Sequence, residues 1–291
     1  MSQLKSLPLA SRGGNADRRR RYRPFDHSSL DLQPTNHDDH CAWKTRGDAV
    51  VKIGMIAVTL LASGCTLATM EGFEAIAPAG QRVDMTGIPG WQDGDFRLGG
   101  AQGHVRRRAV GATREWSDDP WGEVTQAVVA RTGTLRFDLS GSETDGRIEG
   151  RCRYGRVEGQ QQSGGLSVSE TLRPMRLACA YRVDGRDAGG MDLSGIRPLR
   201  PTPAAPRLGT VDIDGTTLTI DSRHAMTGGR QPLEAPIGYV LSDRSGRVVG
   251  AIETNGTGTR RLILPRGTAE RRAAIAAMVT LGLFWDPGDT D

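Results

Sequence analysis

The strongest constraint on the fold is an uncharged segment near the end of the chain, "AAIAAMVTLGLFW", at residues 273–285. Thr280 is its only polar side chain. Upstream, Thr268 can cap a helix and Glu270 suits a first turn, while Pro287 prevents the helix from continuing. A surface helix carries one apolar stripe, whereas this segment is apolar on every side, so it must be buried all round.

The length of this segment decides where it can be buried. Thirteen helical residues span about 20 Å, whereas a bilayer core is about 30 Å thick. We therefore expect a helix threaded through the middle of the protein. Its inaccessible side chains should include Ile275, Met278, Val279, Leu281 and Phe284.

The preceding 200 residues consist of short alternating runs separated by turn residues. Examples are "DFRL" at 95–98, "TLRFDLS" at 134–140 and "MRLACAYRV" at 175–183. Asp214-Gly215 joins two such runs, which is typical of a tight hairpin. Strands at this density predict a mainly β fold, an antiparallel barrel or sandwich with one buried hydrophobic C-terminal helix.

The end of the chain resembles a known superfamily. "GYVLSDRSGRVVGAIE" is followed by "RRLILP" and then by the apolar helix ending in "LGLFWDP". This order is similar to the closing segment of the tubby, LURP-one and phospholipid-scramblase superfamily. The resemblance implies a twelve-stranded antiparallel barrel wrapped around the helix. The whole chain also resembles uncharacterised proteobacterial lipoproteins, and that resemblance implies no activity.

A second apolar run, at residues 53–62, is ten residues long. That length fits the apolar region of a secretory signal, whereas a membrane-spanning helix needs about 20 residues. The run ends in Ala62-Ser63-Gly64-Cys65, which resembles the bacterial lipobox. The resemblance implies a diacylglycerol on the Cys65 thiol, cleavage before Cys65 and acylation of the new N-terminus. The alternative is a buried strand or helix with an incidental cysteine.

These features divide the chain into four parts. Residues 1–50 are expected to be disordered, or misassigned upstream sequence before a start near Val51; a long authentic leader is the alternative. Residues 51–64 are the predicted lipoprotein signal peptide and residues 65–80 a tether. Residues 81–291 form a single β-rich domain.

In many lipoproteins, an aspartate directly after the lipidated cysteine retains the protein in the inner membrane. This chain has Thr66 at that position, so the expected location is the periplasmic face of the outer membrane.

The charge distribution argues against nucleic-acid binding. Ten of the 38 Lys and Arg lie in residues 1–64, so 28 basic residues, all of them Arg, follow downstream. Six of the 34 Asp and Glu lie in residues 1–64, so 28 acidic residues also follow downstream. The expected domain is therefore formally neutral, unlike a basic nucleic-acid binder. The run Arg106–Arg108 is expected to be a solvated strand edge, or less often a contact for anionic lipid or cell-wall polymer.

Two cysteines follow Cys65. In an exported protein a pair implies a disulfide, and the alternation of the flanking residues allows Cys152 and Cys179 to meet on neighbouring strands. Two buried free thiols are the alternative.

The sequence contains no recognisable catalytic motif. Only His104 and His224 follow Cys65, and "DSRH" at 221–224 places the residue types of a triad too close together along one strand. "HDDHC" at 37–41 has no second cluster at a zinc-like spacing. No metal or cofactor is expected.

The predicted function is a lipid-anchored, non-enzymatic envelope module that binds a partner protein or lipid. The alternative is an envelope hydrolase with an unrecognised site.

Overall fold

The computed structural model describes residues 69–90, 92–117, 124–196, 205–229, 231–256 and 258–285. All of them belong to one of the two units into which the chain divides, Ser63–Asp291. The predicted leader, the signal peptide and Cys65 lie outside the described residues, so those expectations stay predictions.

Two α-helices, one short 3-10 helix at Ala77–Ala79 and twelve strands make up the described chain. The first α-helix is short and precedes the strands; the second α-helix follows them. Their bounds are α1 Phe73–Ile76, β1 Gly80–Thr86, β2 Gly94–Leu98, β3 Ala101–Trp116, β4 Val124–Gly141, β5 Ile148–Ser163, β6 Leu166–Val183, β7 Arg186–Gly195, β8 Arg207–Ile213, β9 Thr216–Arg223, β10 Gly238–Ser242, β11 Val248–Glu253, β12 Thr259–Pro265 and α2 Thr268–Leu283.

The strands form one closed antiparallel barrel. Each strand pairs with the next along the chain, and β12 pairs with β1, so the sheet has no free edge along its closed circumference. This confirms the predicted barrel with a buried C-terminal helix and decides against a sandwich. The run at 175–183 is the second half of a longer strand, β6, which begins at Leu166.

Helix α2 occupies the barrel lumen. Eight strands already enclose an interior just wide enough for side chains, so a twelve-stranded barrel needs a filling, and a helix about 10 Å across supplies it. Eleven consecutive residues of α2, from Ala273 to Leu283, are buried. Ile275, Met278, Val279 and Leu281 are at most 2% exposed, as predicted.

Both ends of the helix differ from the prediction. Gly267, not Thr268, occupies the N-cap position, because the backbone turns out of the extended conformation only after it. Phe284 is half-buried rather than inaccessible, since the helix ends at Leu283 where the lumen opens. Its ring packs edge-on against Tyr154, with 5.2 Å between ring centroids, and Trp285 beyond it is 42% exposed.

The one polar side chain of the buried segment has partners on both sides. The Thr280 hydroxyl donates to the Ala276 carbonyl (2.8 Å), and the Tyr181 hydroxyl, also buried, bonds to the Thr280 oxygen (2.8 Å). Burial raises the pKa of Tyr181, so the phenol stays protonated and can donate. The Tyr181 hydroxyl also lies 3.6 Å from the Met191 sulfur, which is a weaker acceptor, so the bond to Thr280 is the stronger link between the helix and β6.

We predict that Thr280→Val destabilises the protein by about 1–3 kcal/mol, because it leaves the buried Tyr181 hydroxyl with only a weak acceptor, the Met191 sulfur at 3.6 Å. Adding Tyr181→Phe removes that poorly paired hydroxyl, so the double variant should be more stable than Thr280→Val alone. Urea unfolding of the two single variants and the double variant measures this coupling. Simple additivity of the two losses would contradict the contact.

The predicted disulfide is present. Cys152 on β5 and Cys179 on β6 are direct cross-strand partners, and their sulfurs are bonded. The cross-link joins two of the longest strands at the level of the lumen, where Cys152 is 2% exposed.

The segment before β1 packs on the outside of the barrel. Met70 and Phe73 are buried against Val240, Ala251 and Ile263, on the outer faces of β10, β11 and β12. The Met70 amide donates to the buried carboxylate of Glu253 (2.7 Å). The described part of the predicted tether, from residue 69 onward, is therefore folded against the wall, because its apolar side chains cover strands that are apolar on both faces.

The two ends of the barrel differ. At the end where α2 begins, Arg271 pairs with Glu143, and Arg272 pairs with Asp145 and Asp214. We call this the closed end. We call the other end, where α2 stops, the mouth.

Four strands continue past the mouth. Strands β3 to β6 have 16 to 18 residues each, whereas the others have 5 to 10. Beyond Arg107, which contacts the last turn of α2, β3 runs a further nine residues to Trp116. We call the parts of these strands beyond the mouth the apron: residues 109–116, 124–131, 156–163 and 166–173.

Candidate functional site

The outer surface of β3, β4 and β5 carries a dense group of arginines. Because side chains alternate along a strand, residues two apart share a face. Arg106 lies directly opposite Arg136, and Arg136 directly opposite Arg151. One step toward the mouth, Arg108 and Arg153 stand on either side of Thr134. We call these five residues the arginine face: Arg106, Arg108, Arg136, Arg151 and Arg153.

All five guanidinium groups are exposed. Within the described part of the chain, none of their side chains has a hydrogen bond or an ion pair. Adjacent strands are about 4.8 Å apart, so Arg106, Arg136 and Arg151 form a row of positive charges at that spacing. Like charges placed directly opposite on neighbouring strands destabilise a sheet, so this row costs stability.

The carboxylates nearest to the arginine face have another partner. Asp138 and Glu149 occupy the next row toward the closed end, and Arg147 bridges them at 3.4 and 3.5 Å. A groove of about 270 Å³ runs between this row, in which one arginine faces two carboxylates, and the row of Arg106, Arg136 and Arg151. The face therefore offers several unpaired guanidinium groups beside a shallow groove, an arrangement that binds phosphate or carboxylate oxygens.

The Arg106–Arg108 run lies on a local strand edge, as predicted. Strand β2 pairs with β3 only as far as Val105, so beyond that residue β3 has a strand neighbour only in β4 within the described chain. Arg107 points into the lumen, while Arg106 and Arg108 point outward. The Arg107 guanidinium donates to the Leu283 carbonyl at 3.0 and 3.1 Å and to the carbonyls of Pro89, Gly90 and Gln92.

Arg107 therefore closes the C-terminal end of the central helix. A cation at this end complements the helix dipole. Burial lowers the pKa of Arg107, and the nearby Arg260 lowers it further, although an arginine stays charged at any physiological pH. Its role is structural: it stabilises the last turn of α2 and the loop between β1 and β2.

A cavity of about 230 Å³ lies at the mouth beside the end of α2. Leu281 and Phe284 form its apolar wall, and Arg207, Tyr239 and Arg260 its polar wall. The Arg207 Nη1 donates to the Tyr239 hydroxyl (3.1 Å). The buried Nε of Arg260 has no hydrogen-bond partner among the described residues, and burial lowers the pKa of this arginine. The cavity is large enough for a few water molecules or a small anion, but not for a drug-sized ligand.

A larger groove of about 630 Å³ lies on the outer wall over β1 to β4. His104 lines it, and its Nδ1 lies 2.7 Å from an Asp95 carboxylate oxygen. That carboxylate is 90% exposed. The pair lacks the buried carboxylate that orients a catalytic histidine.

The "DSRH" segment brings Ser222 and His224 into contact, whereas Asp221 lies on the opposite face of the strand. The His224 Nε2 lies 2.9 Å from the Ser222 hydroxyl, and its Nδ1 lies 3.0 Å from the Leu233 carbonyl. Because the carbonyl can only accept, Nδ1 carries the proton and Nε2 accepts from Ser222. Asp221 pairs with Arg223 on the outer face. Ser222 is only 6% exposed, so this contact satisfies buried polar groups and presents no nucleophile to a substrate.

We predict a pH dependence of stability from His224. Burial lowers the pKa of His224, and the nearby Arg207 also lowers it, so the folded protein disfavours the protonated imidazole. The unfolded chain binds the proton more readily, so stability contributed by the neutral ring is present above the ordinary pKa of about 6.5 and is lost as pH falls below it.

Urea unfolding from about pH 7.5 to about pH 5 tests this. His224→Gln should flatten the fall in the free energy of unfolding over this range, because the variant cannot take up that proton. The matched control is His104→Gln, which removes a partly exposed imidazole on the outer wall and should flatten this fall less than His224→Gln does. Equal slopes in wild type and His224→Gln would contradict the assignment.

Comparison with known proteins assigns no role to these sites. No family model matches the chain, and neither the curated proteins nor the solved structures contain a significant match. Among the described residues, no group of three or more His, Cys, Asp or Glu side chains could hold a metal ion. None of the described helices is both long enough and apolar enough to cross a membrane.

Sequence reasoning missed the arginine face. It recognised only the Arg106–Arg108 run, because the five residues come from three strands separated by up to 47 positions. The repeated pattern Arg-x-Arg at 106–108 and 151–153 is the local signal: two arginines on one face of each strand. Only the strand register brings Arg136 between them.

Proposed function

We propose that this protein is a lipid-anchored, non-enzymatic binding module of the bacterial cell envelope, and that its arginine face holds an anionic partner. The row of Arg106, Arg136 and Arg151 carries this proposal. Three like charges in register cost stability without any compensating ion pair in the described structure, so the arrangement is better explained by binding than by folding.

The chemistry of the partner follows from the spacing. Guanidinium groups at about 4.8 Å across strands, in two rows about 6.7 Å apart, match closely spaced carboxylates or phosphates on one surface. A partner protein with an acidic patch, an anionic polymer and a lipid headgroup layer all carry such groups. A hydrolase, the alternative, needs a nucleophile that substrate can reach, and the buried contact between Ser222 and His224 favours the binding module.

The anchor is the lipobox cysteine. We predict that the N-terminal peptide of the mature protein begins at Cys65 and carries acyl chains, which mass spectrometry would show. The protein should fractionate with outer membranes and be released by detergent. Cys65→Ala should give an unmodified form that is not cut before residue 65. Wild-type protein recovered soluble and without acyl chains would contradict this.

The arginine face is tested by removing its charges. The full chain with Cys65→Ser avoids the anchor, and its binding to isolated envelope fragments is measured as a function of salt. We predict that Arg106→Gln, Arg136→Gln and Arg151→Gln together weaken binding about ten-fold or more, and flatten the salt dependence. The same triple variant should be as stable as its parent or up to about 1 kcal/mol more stable, since it relieves repulsion.

The matched control removes three exposed arginines elsewhere, Arg97, Arg186 and Arg223, again to glutamine. It lowers the net charge by the same amount, so it should change binding less than two-fold if the face is specific. If the two triple variants lost binding to the same extent, the loss would be due to net charge alone, and the proposed site would be refuted.

A further inference from the structure

The apron exposes apolar side chains on its outside. Strands of a filled barrel normally turn apolar residues toward the lumen. In the apron the mouth-facing side is mixed: Gln160 of β5 is paired with Ser169 of β6, and both lie in register with the buried Ala127 of β4. The outward side carries Val110, Leu166 and Val168, which are 65%, 76% and 67% exposed.

These apolar residues concentrate toward the free tip. Leu166 and Val168 are the first and third residues of β6, and Trp116 is the last residue of β3. Through β4 and β5, the registers place Trp116 and Val168 in one outer row and Leu166 in the next. An exposed apolar tip that includes a tryptophan is typical of a surface that enters the interface of a lipid bilayer.

The described chain begins at the mouth and runs along the outer wall to Gly80, where β1 starts at the closed end. The Met70 amide bonds to Glu253, and the next residue, Thr254, lines the cavity at the mouth. Thr69 is thus at the level of the mouth, four residues after Cys65. Four extended residues reach at most about 14 Å, so an anchor at Cys65 keeps the mouth within about 14 Å of the membrane surface.

The apron is longer than that distance. From Arg107 at the mouth to Trp116, nine residues extend about 30 Å along the strand. At a typical barrel tilt of 35–45° this is about 21–25 Å along the barrel axis. Subtracting the full reach of the anchor leaves the tip at least about 7–11 Å below the membrane surface, and the lower part of that range matches the depth at which amphipathic elements lie in the interface.

We infer that the tip of the apron, formed by Trp116, Leu166 and Val168, inserts into the bilayer that holds the lipid anchor. The orientation rests on the proposed lipidation of Cys65, whereas insertion of the tip can be measured without it. The protein then stands on the membrane with its mouth toward the lipid and its closed end away from it.

The first test uses full chain with Cys65→Ser and vesicles of phosphatidylethanolamine and phosphatidylglycerol. Leu166→Ser with Val168→Ser should weaken vesicle binding about ten-fold or more, because two apolar side chains no longer leave water. The matched control is Ile196→Ser with Leu208→Ser, two exposed apolar residues outside the apron, which should bind as the parent does. Unchanged binding by the apron variant, or no binding by the parent, would overturn insertion.

The second test uses the lipidated protein in the same vesicles. Leu166→Cys receives a fluorophore, and spin-labelled lipids with the label near the headgroup should quench it. A fluorophore on Arg244→Cys, in the turn between β10 and β11 at the closed end, should remain unquenched.

The outcomes separate the two proposals. If Cys65 is acylated but the fluorophore at residue 166 is not quenched, the proposal of a lipid-anchored module is supported and the proposal of an inserted tip is overturned. Absence of acylation would refute the anchor, while vesicle binding by the Cys65→Ser chain still decides insertion. If Leu166→Ser with Val168→Ser instead turns a dimer into a monomer in solution and leaves vesicle binding unchanged, the tip is an interface between copies and the inference is wrong.

Discussion

The burial of an uncharged helix inside a twelve-stranded barrel is the constraint on which the rest of the structure depends. A barrel of this size without a filling would leave a wide lumen, and the helix without the barrel would expose apolar side chains on every side. Each therefore stabilises only in the presence of the other. The ends of the helix then define the ends of the protein: ion pairs of Arg271 and Arg272 close one rim, and Arg107 binds the last carbonyl at the other.

The strands divide into two kinds according to what lies outside them. Strands β10 to β12 are buried on both faces, because Met70 and Phe73 cover their outer side while α2 packs inside. Strands β3 to β6 have nothing described over their outer face, which is free to carry the arginine face and the apron. The covered side holds the segment before β1 against the barrel wall. The uncovered side carries the arginine face and the apron.

The sequence predicted the fold better than the site, for a physical reason. An apolar helix and alternating strands are local patterns, so residues 273–285 and the hairpin at Asp214-Gly215 were recognisable without any partner. The run "RRLILP" was predicted only as a strand, and its burial on both faces was not predicted, because the Met70 and Phe73 that cover its outer face lie about 190 residues away. The exact end of the helix depends on Arg107 and the depth of the lumen, which explains why Phe284 was expected to be inaccessible. The arginine face depends on register between distant strands, which no local pattern contains.

The two exposed surfaces of the uncovered side differ in chemistry, since one is cationic and the other is apolar. The arginine face lies at the level of the mouth, because Arg106 and Arg108 flank Arg107, which holds the end of α2. In the proposed orientation, a fully extended tether places this face at most about 14 Å above the membrane surface. The electrostatic potential of lipid headgroups is screened within about 8–10 Å at physiological ionic strength. Headgroups of the anchoring bilayer would therefore reach these guanidinium groups only when the tether is shorter than its full extension. An acidic protein surface or an anionic polymer could approach them at any extension of the tether, which favours such a partner over the lipid that holds the anchor.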